Sequence, residues 1–265
     1  MLAVRGSHPL LPIRPRRGRD RGTELSDRAG MIPGMTAQPA TGVILEVGRK
    51  RVFACATDWP GWCRSGRGEE LALEALAAYL PRYAPVARLA GLELPSAAAD
   101  AFSVVERLPG TAGYTDFGAP GEIAQCDYDP LTAAEAGRIA ALAGAAWATF
   151  DHVAAAAPAS LRKGPRGGGR DRDQIIEHVI GAEAAFARKI GVRHRKPAFG
   201  DEAAIAAMRS AIAGALGRAS DGTVPLPGGW PVRYAARRIA WHVLDHAWEI
   251  EDKSGPYPLS YLSGS

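Results

Sequence analysis

From Thr132 onward the apolar residues recur with a period of 3.6, in four segments parted by loops rich in Gly and Pro. Thr132 with Glu135 three residues on has the spacing of a capping box, and the segment runs to about Ala157. Ile139, Leu142, Ala143, Ala146, Trp147 and Phe150 supply its apolar face. The second segment, Asp171 to Ile190, is closed by Gly191 in the position of a left-handed cap. Its inward positions are Ile175, His178, Val179, Ala182 and Phe186. A third spans Asp201 to Leu216 and a fourth about 232–252. Four amphipathic helices can bury four apolar stripes on one another, so a four-helix bundle over 131–253 is the economical solution.

Upstream the pattern is different. Val43–Val47 and Arg51–Thr57 are strand-like, with Gly48-Arg-Lys50 as a hairpin turn. Asp58–Gly66 is a turn-rich connector carrying Trp59 and Trp62. Glu69–Ala90 has helical spacing that Pro81 and Pro85 kink or break, and Ala101–Arg107 returns to strand. The expectation is an α+β chain: a small N-terminal β-β-α-β module over 41–110, a linker over 111–130, the C-terminal bundle, and a tail over 254–265.

The net charge of +4 is unevenly placed. Residues 1–40 hold seven arginines against three acidic residues, and the other 225 residues balance 25 basic with 25 acidic side chains. The body is neutral, which argues against nucleic acid as the partner. The tail 1–40 reads as disordered. Because Met31 and Met35 precede the first strand, it is either a stretch upstream of the true start or a basic arm for anionic surfaces. No apolar run reaches 18 residues and no secretory signal opens the chain, so no membrane partner is expected. Cys55, Cys63 and Cys126 form no C-x-x-C pair, so reduced thiols and a cytoplasmic location are expected.

The last helix carries the chemistry. His242 and His246 lie one turn apart on one face, the way a helix offers a divalent metal two nitrogen ligands. Alone, an H-x-x-x-H is more often two histidines with no shared task. His178, on the apolar face of the second helix, is likewise more often a core residue when taken singly. Together the three suit a catalytic zinc-type site with an open fourth position, or nickel, iron or manganese. Asp245, Glu249 and Glu183 are the carboxylates nearest in sequence, and Glu249 is the candidate for orienting a ligand imidazole. The alternative for Asp245 and Glu249 is that they are solvated or salt-bridged with Arg238 and Lys253. His152, near the end of the first helix, comes to nearly the same height as His178 if the two helices are antiparallel. It is a candidate fourth ligand or proton shuttle, against the plainer reading of a surface histidine. Leu161–Arg170 combines glycines, a helix N-terminus, Arg166 and Arg170, which together favour an anion. The alternative is a flexible solvated loop, and Lys189–Lys196 reads as a solvated basic turn.

Ile175-Ile-Glu-His-Val-Ile-Gly-Ala-Glu183 and Ala240-Trp-His-Val-Leu-Asp-His-Ala-Trp-Glu249 resemble the DinB/YfiT superfamily, over about 131–253. The resemblance implies that His178, His242 and His246 are metal ligands in a four-helix bundle. It also implies thiol-dependent transfer or isomerisation of a small-molecule substrate, with bacillithiol, mycothiol or glutathione as the thiol. The Ala-, Arg- and Gly-heavy composition suggests a high-GC genome, which makes mycothiol the natural choice. On this reading Arg166 and Arg170 bind the thiol cofactor's carboxylate end, and His152 and Glu249 assist catalysis. Trp59-Pro-Gly-Trp-Cys-Arg-Ser-Gly66, leading into an acidic helix, resembles the HicB-like antitoxin fold over roughly 43–108. That resemblance implies an α/β interaction module, and no DNA-binding segment follows it. The rival function is therefore a non-catalytic regulatory protein that docks a protein partner, or pairs as a homodimer, and uses its metal structurally.

Overall fold

The computed structural model describes residues 40–94, 102–164 and 168–255. The basic tail up to residue 39, Arg166 and the tail beyond residue 255 lie outside the described residues. The fold is α+β, with a mixed sheet on the N-terminal side and helices after it. Strands β1 (Thr41–Val47), β2 (Val52–Ala56), β3 (Cys63–Gly66) and β4 (Phe102–Pro109) are ordered β3-β2-β1-β4. The β1–β2 and β2–β3 pairs are antiparallel and β1–β4 is parallel. A parallel pair needs a crossover, and α1 (Glu69–Ala78) and α2 (Leu80–Leu89) provide it. The helix break falls at Tyr79, and Pro81 sits in the first turn of α2, where its missing N–H has no helical partner to lose.

Two expectations for this half are corrected. The stretch read as a connector ends in a strand, so the β-β-α-β order becomes β-β-β-α-α-β. Cys-Arg-Ser-Gly has no apolar alternation to betray it. Its register with β2, Cys55 opposite Cys63 and Val52 opposite Gly66, is set by backbone pairing. The cysteines expected to be reduced include a cross-strand disulfide, Cys55–Cys63, and only Cys126 is a free thiol. No C-x-x-C spacing announces that pair, because the β2–β3 turn brings its two members together.

The sheet is covered on both faces. Val43, Leu45, Val52 and Ala54 face Trp62, Leu76, Tyr83 and Val86. The Trp62 indole N–H donates to the Leu76 carbonyl at 2.8 Å, and the Tyr83 hydroxyl donates to Pro60 O at 2.8 Å. On the other face Phe53, Cys55 and Cys63 pack on Trp241. The segment 111–130, expected as a linker, is fastened there. Buried Glu46 accepts from Thr115 Oγ1 at 2.5 Å, from Gly121 N at 3.1 Å and from Glu122 N at 3.0 Å.

The long helices are α3 (Ala133–Ala156), α4 (Arg172–Lys189), α5 (Glu202–Leu216) and α6 (Val232–Lys253). The capping box forms as expected: Glu135 N donates to Thr132 Oγ1 at 3.2 Å, and Thr132 N donates to Glu135 Oε2 at 2.8 Å. Helix α6 packs on α3, α4 and α5, and one apolar core runs from the sheet through all six helices. Among the described residues α3 alone is, by length and composition, apolar enough to cross a membrane, a test that a buried core helix also passes. Alanine is the reason: half of its 24 residues are alanine, apolar on a hydropathy scale yet small enough for close helix packing. Ile139, Leu142, Trp147 and Phe150 of this helix lie in the protein core.

The inward face of α4 is turned from the expected one. Ile175, Val179, Ile180, Glu183, Ala184 and Ala187 are buried, while His178, Ala182 and Phe186 are only half-buried. Glu183 causes the turn. Its fully buried carboxylate takes Arg209 of α5 in a two-pronged contact at 3.1 and 3.2 Å, and Arg209 also binds Asp151 of α3 at 2.9 Å. A carboxylate can be buried when it is paired and hydrogen-bonded, so the amphipathic pattern, which counts Glu183 as polar, misplaces the stripe by part of a turn.

Candidate metal centre

Helix α6 is buried around most of its circumference, held between the sheet on one side and α3 and α4 on the other. Along it Arg238, His242 and His246 follow at intervals of four and therefore lie in one row. His178, on the flank of α4, faces that row. The imidazole centroids are 5.1 Å apart for His178–His242, 4.9 Å for His178–His246 and 4.7 Å for His242–His246. One ring nitrogen from each lies within 4.8 Å of the others.

His178 Nε2 and His242 Nε2 are 3.2 Å apart. Two nitrogens bound at about 2.05 Å to one tetrahedral ion lie about 3.3 Å apart. The distance suits a hydrogen bond between two imidazoles equally well. His246 Nδ1 is 2.7 Å from Glu249 Oε2. This contact, the largest influence on that carboxyl, holds it down at about 2. An ionised carboxylate only accepts, so the contact puts a proton on His246 Nδ1 and turns Nε2 away from Glu249. The other Glu249 oxygen is taken by Lys253, so Glu249 makes both of the contacts weighed for it.

Burial pushes the His178 pKa down, with help from His246. The His242 pKa is pushed well down, again chiefly by burial and then by the other two rings. Both rings are thereby neutral at neutral pH, the state in which imidazole binds a metal. His242 Nδ1 has no hydrogen-bond partner among the described residues. A buried ring nitrogen left unpaired costs about 1–3 kcal/mol.

Comparison with protein-family models, with curated proteins and with solved structures finds no match for this chain. The site has to be read from its own chemistry.

The remaining candidates fall as follows. Asp245 does not reach Arg238: it pairs with Arg64 of β3 at 3.1 Å. Burial raises its pKa, and Arg64 works against that rise. Glu183 points to Arg209, so its carboxylate serves the packing of α3, α4 and α5. His152 is exposed on α3 and is not a member of the three-histidine group. Arg166 lies outside the described residues. The loop before α4 is pinned more than it is open: Lys163 Nζ contacts Asp171 at 2.6 Å, and the Arg162 N–H donates to Lys253 O at 3.1 Å. Arg170 is exposed and lines an open groove of about 490 Å³ together with Gln174, Glu177, His178, Gly181, Ala182 and Lys196.

Three residues near the centre escape a reading by sequence. Lys196, in a turn expected to be solvated, reaches back to the groove, 3.6 Å from Glu177. Arg64 meets Asp245 across 181 residues of chain. Arg238 is buried, with Nη1 donating to Pro120 O at 2.7 Å and its guanidinium 4.8 Å from the Trp241 ring and 5.7 Å from Phe186. Only Arg238 left a signal, its place one turn before His242.

Proposed function

We propose that His178, His242 and His246 bind a divalent metal, and that the chain is a metal-dependent enzyme acting on a small molecule by thiol-dependent transfer or isomerisation. In this reading α3–α6 are a four-helix bundle of the DinB type and the sheet is a HicB-like module that buttresses it. The carrying observation is the convergence of three imidazoles from two helices, with the back of one fixed by Glu249. Three neutral nitrogen donors suit zinc, and also nickel, iron or manganese. When bound, the ion would supply a Lewis acid that lowers the pKa of a thiol or water. The chain's own residues hold it: Glu249 fixes the His246 tautomer, and α6 keeps its register through Arg64–Asp245. The groove gives access from the His178 side, with Arg170 on its rim.

The test is metal analysis of the purified full chain and of His178→Ala and His242→Ala, alongside turnover with mycothiol, bacillithiol and glutathione. The reading requires about one ion per chain, lost in both variants together with any thiol-dependent activity. Absence of bound metal at micromolar supply would refute it. Metal without thiol turnover would favour the regulatory alternative, in which the sheet docks a partner.

A further inference from the structure

The groove beside His178 has a chemical bias of its own. Its lining includes Gly181 and Ala182, the smallest pair of neighbours on α4. Arg170 stands at one part of the rim and Lys196 at another, with the Gln174 side chain also on the lining. Among the described residues Arg170 enters no ion pair, and it is exposed. Lys196 is tied only to Glu177, at 3.6 Å between half-exposed or more exposed side chains. An exposed pair of this kind is worth about 0–1 kcal/mol, so Lys196 can exchange Glu177 for a ligand's oxyanion at little cost. Lys196 also leans over the helix: a Cβ placed on Gly181 would lie 3.7 Å from its Cε.

We infer that this groove is the substrate site and that it selects a small molecule bearing a carboxylate or phosphate, gripped between Arg170 and Lys196 with its other end at His178. The inference rests on the metal-enzyme reading for what happens at His178, but the binding of the oxyanion does not need the metal. The specificity comes from two cations on the rim of a groove that His178 also lines. A neutral substrate of the same size would leave Arg170 without a counter-charge.

The experiment is calorimetric titration of the full chain, metal-free and zinc-loaded, with succinate and with inorganic phosphate at constant ionic strength. Variants are Arg170→Ala, Lys196→Ala, Gly181→Leu and, as a control in the same turn, Arg193→Ala. Removing either gripping cation should weaken binding by about three- to tenfold, while Arg193→Ala leaves it unchanged. Gly181→Leu keeps every charge and favours the helix, but it drives a side chain into the groove, so binding should vanish with unfolding unaltered. Preference for succinate or for phosphate tells which oxyanion the site is built for. The proposal is overturned if Gly181→Leu binds as wild type does, or if Arg193→Ala loses as much as Lys196→Ala. Metal retained with no oxyanion binding sinks this inference alone. Oxyanion binding with no metal sinks the metal reading alone.

Discussion

Arg64 Nη1 lies 3.1 Å from Asp245 Oδ1, joining the edge strand β3 to the turn of α6 between His242 and His246. The Arg64 guanidinium also lies 3.8 Å over the Tyr79 ring, so its geometry is set from two sides. A part-buried pair at the surface is worth about 1 kcal/mol and a cation over an aromatic ring about 0.5–1. Arg64→Ala should therefore cost roughly 1–2 kcal/mol in urea unfolding. It should also weaken metal binding several-fold, as α6 loses its tie to the sheet. A variant that binds metal as tightly as wild type would mean that the N-terminal half is irrelevant to the centre.

Glu249 and Glu183 should behave oppositely. Glu249→Gln removes the carboxylate behind His246, and loss of such a partner lowers metal affinity by about 10–100-fold. Glu183→Ala breaks a buried ion pair and leaves Arg209 with Asp151 alone, which costs on the order of 3 kcal/mol. Its effect should appear in the unfolding midpoint while metal content per folded chain is unchanged. Metal analysis and urea titration on the two variants, side by side, check the assignment.

His242→Phe offers a separation of stability from binding. In the metal-free protein it removes a buried ring nitrogen that has no partner but also the Nε2 contact with His178, and the ring is somewhat larger, so stability should stay within about 1 kcal/mol of wild type. Metal binding should be abolished. A large loss of stability in the metal-free variant would show that His242 is a core residue chosen for packing.

Acid should act on the metal-free protein in two windows. The folded His178 and His242 sit below their ordinary 6.5. The unfolded chain therefore takes up protons first, and their contribution is complete above pH 6.5 and declines as pH falls through the folded values. Glu249 is held at about 2 against an ordinary 4.5, so its contribution is present above 4.5 and is lost between there and about 2. The urea midpoint plotted against pH should fall in both ranges, the first flattened by His242→Phe and the second by Glu249→Gln.

Thiol counting tests the β2–β3 pair. Denatured without reductant, the chain should expose one reactive thiol, that of Cys126, and after reduction all three. In the native state Cys126 should react slowly at neutral pH, because burial and then the charge of Asp127 push its thiol up to about 11.

The local elements were legible in the sequence. Repeated apolar spacing, the Thr132–Glu135 box and the Gly and Pro breaks placed α3 to α6 and three of the four strands close to their observed ends, because those signals act within a few residues. The row of His242 and His246 was equally local, a consequence of helical pitch. What tertiary structure alone decided was everything that joins distant segments. Strand β3 exists because β2 pairs with it, and α4 is rotated because Arg209 neutralises Glu183 in the interior. Lys196 and Arg64 reach the centre across loops whose paths no periodicity encodes. A helix writes its own face into its sequence, but the neighbour that face meets is fixed only by packing, and the meeting of His178 with the row on α6 belongs to that second kind of information.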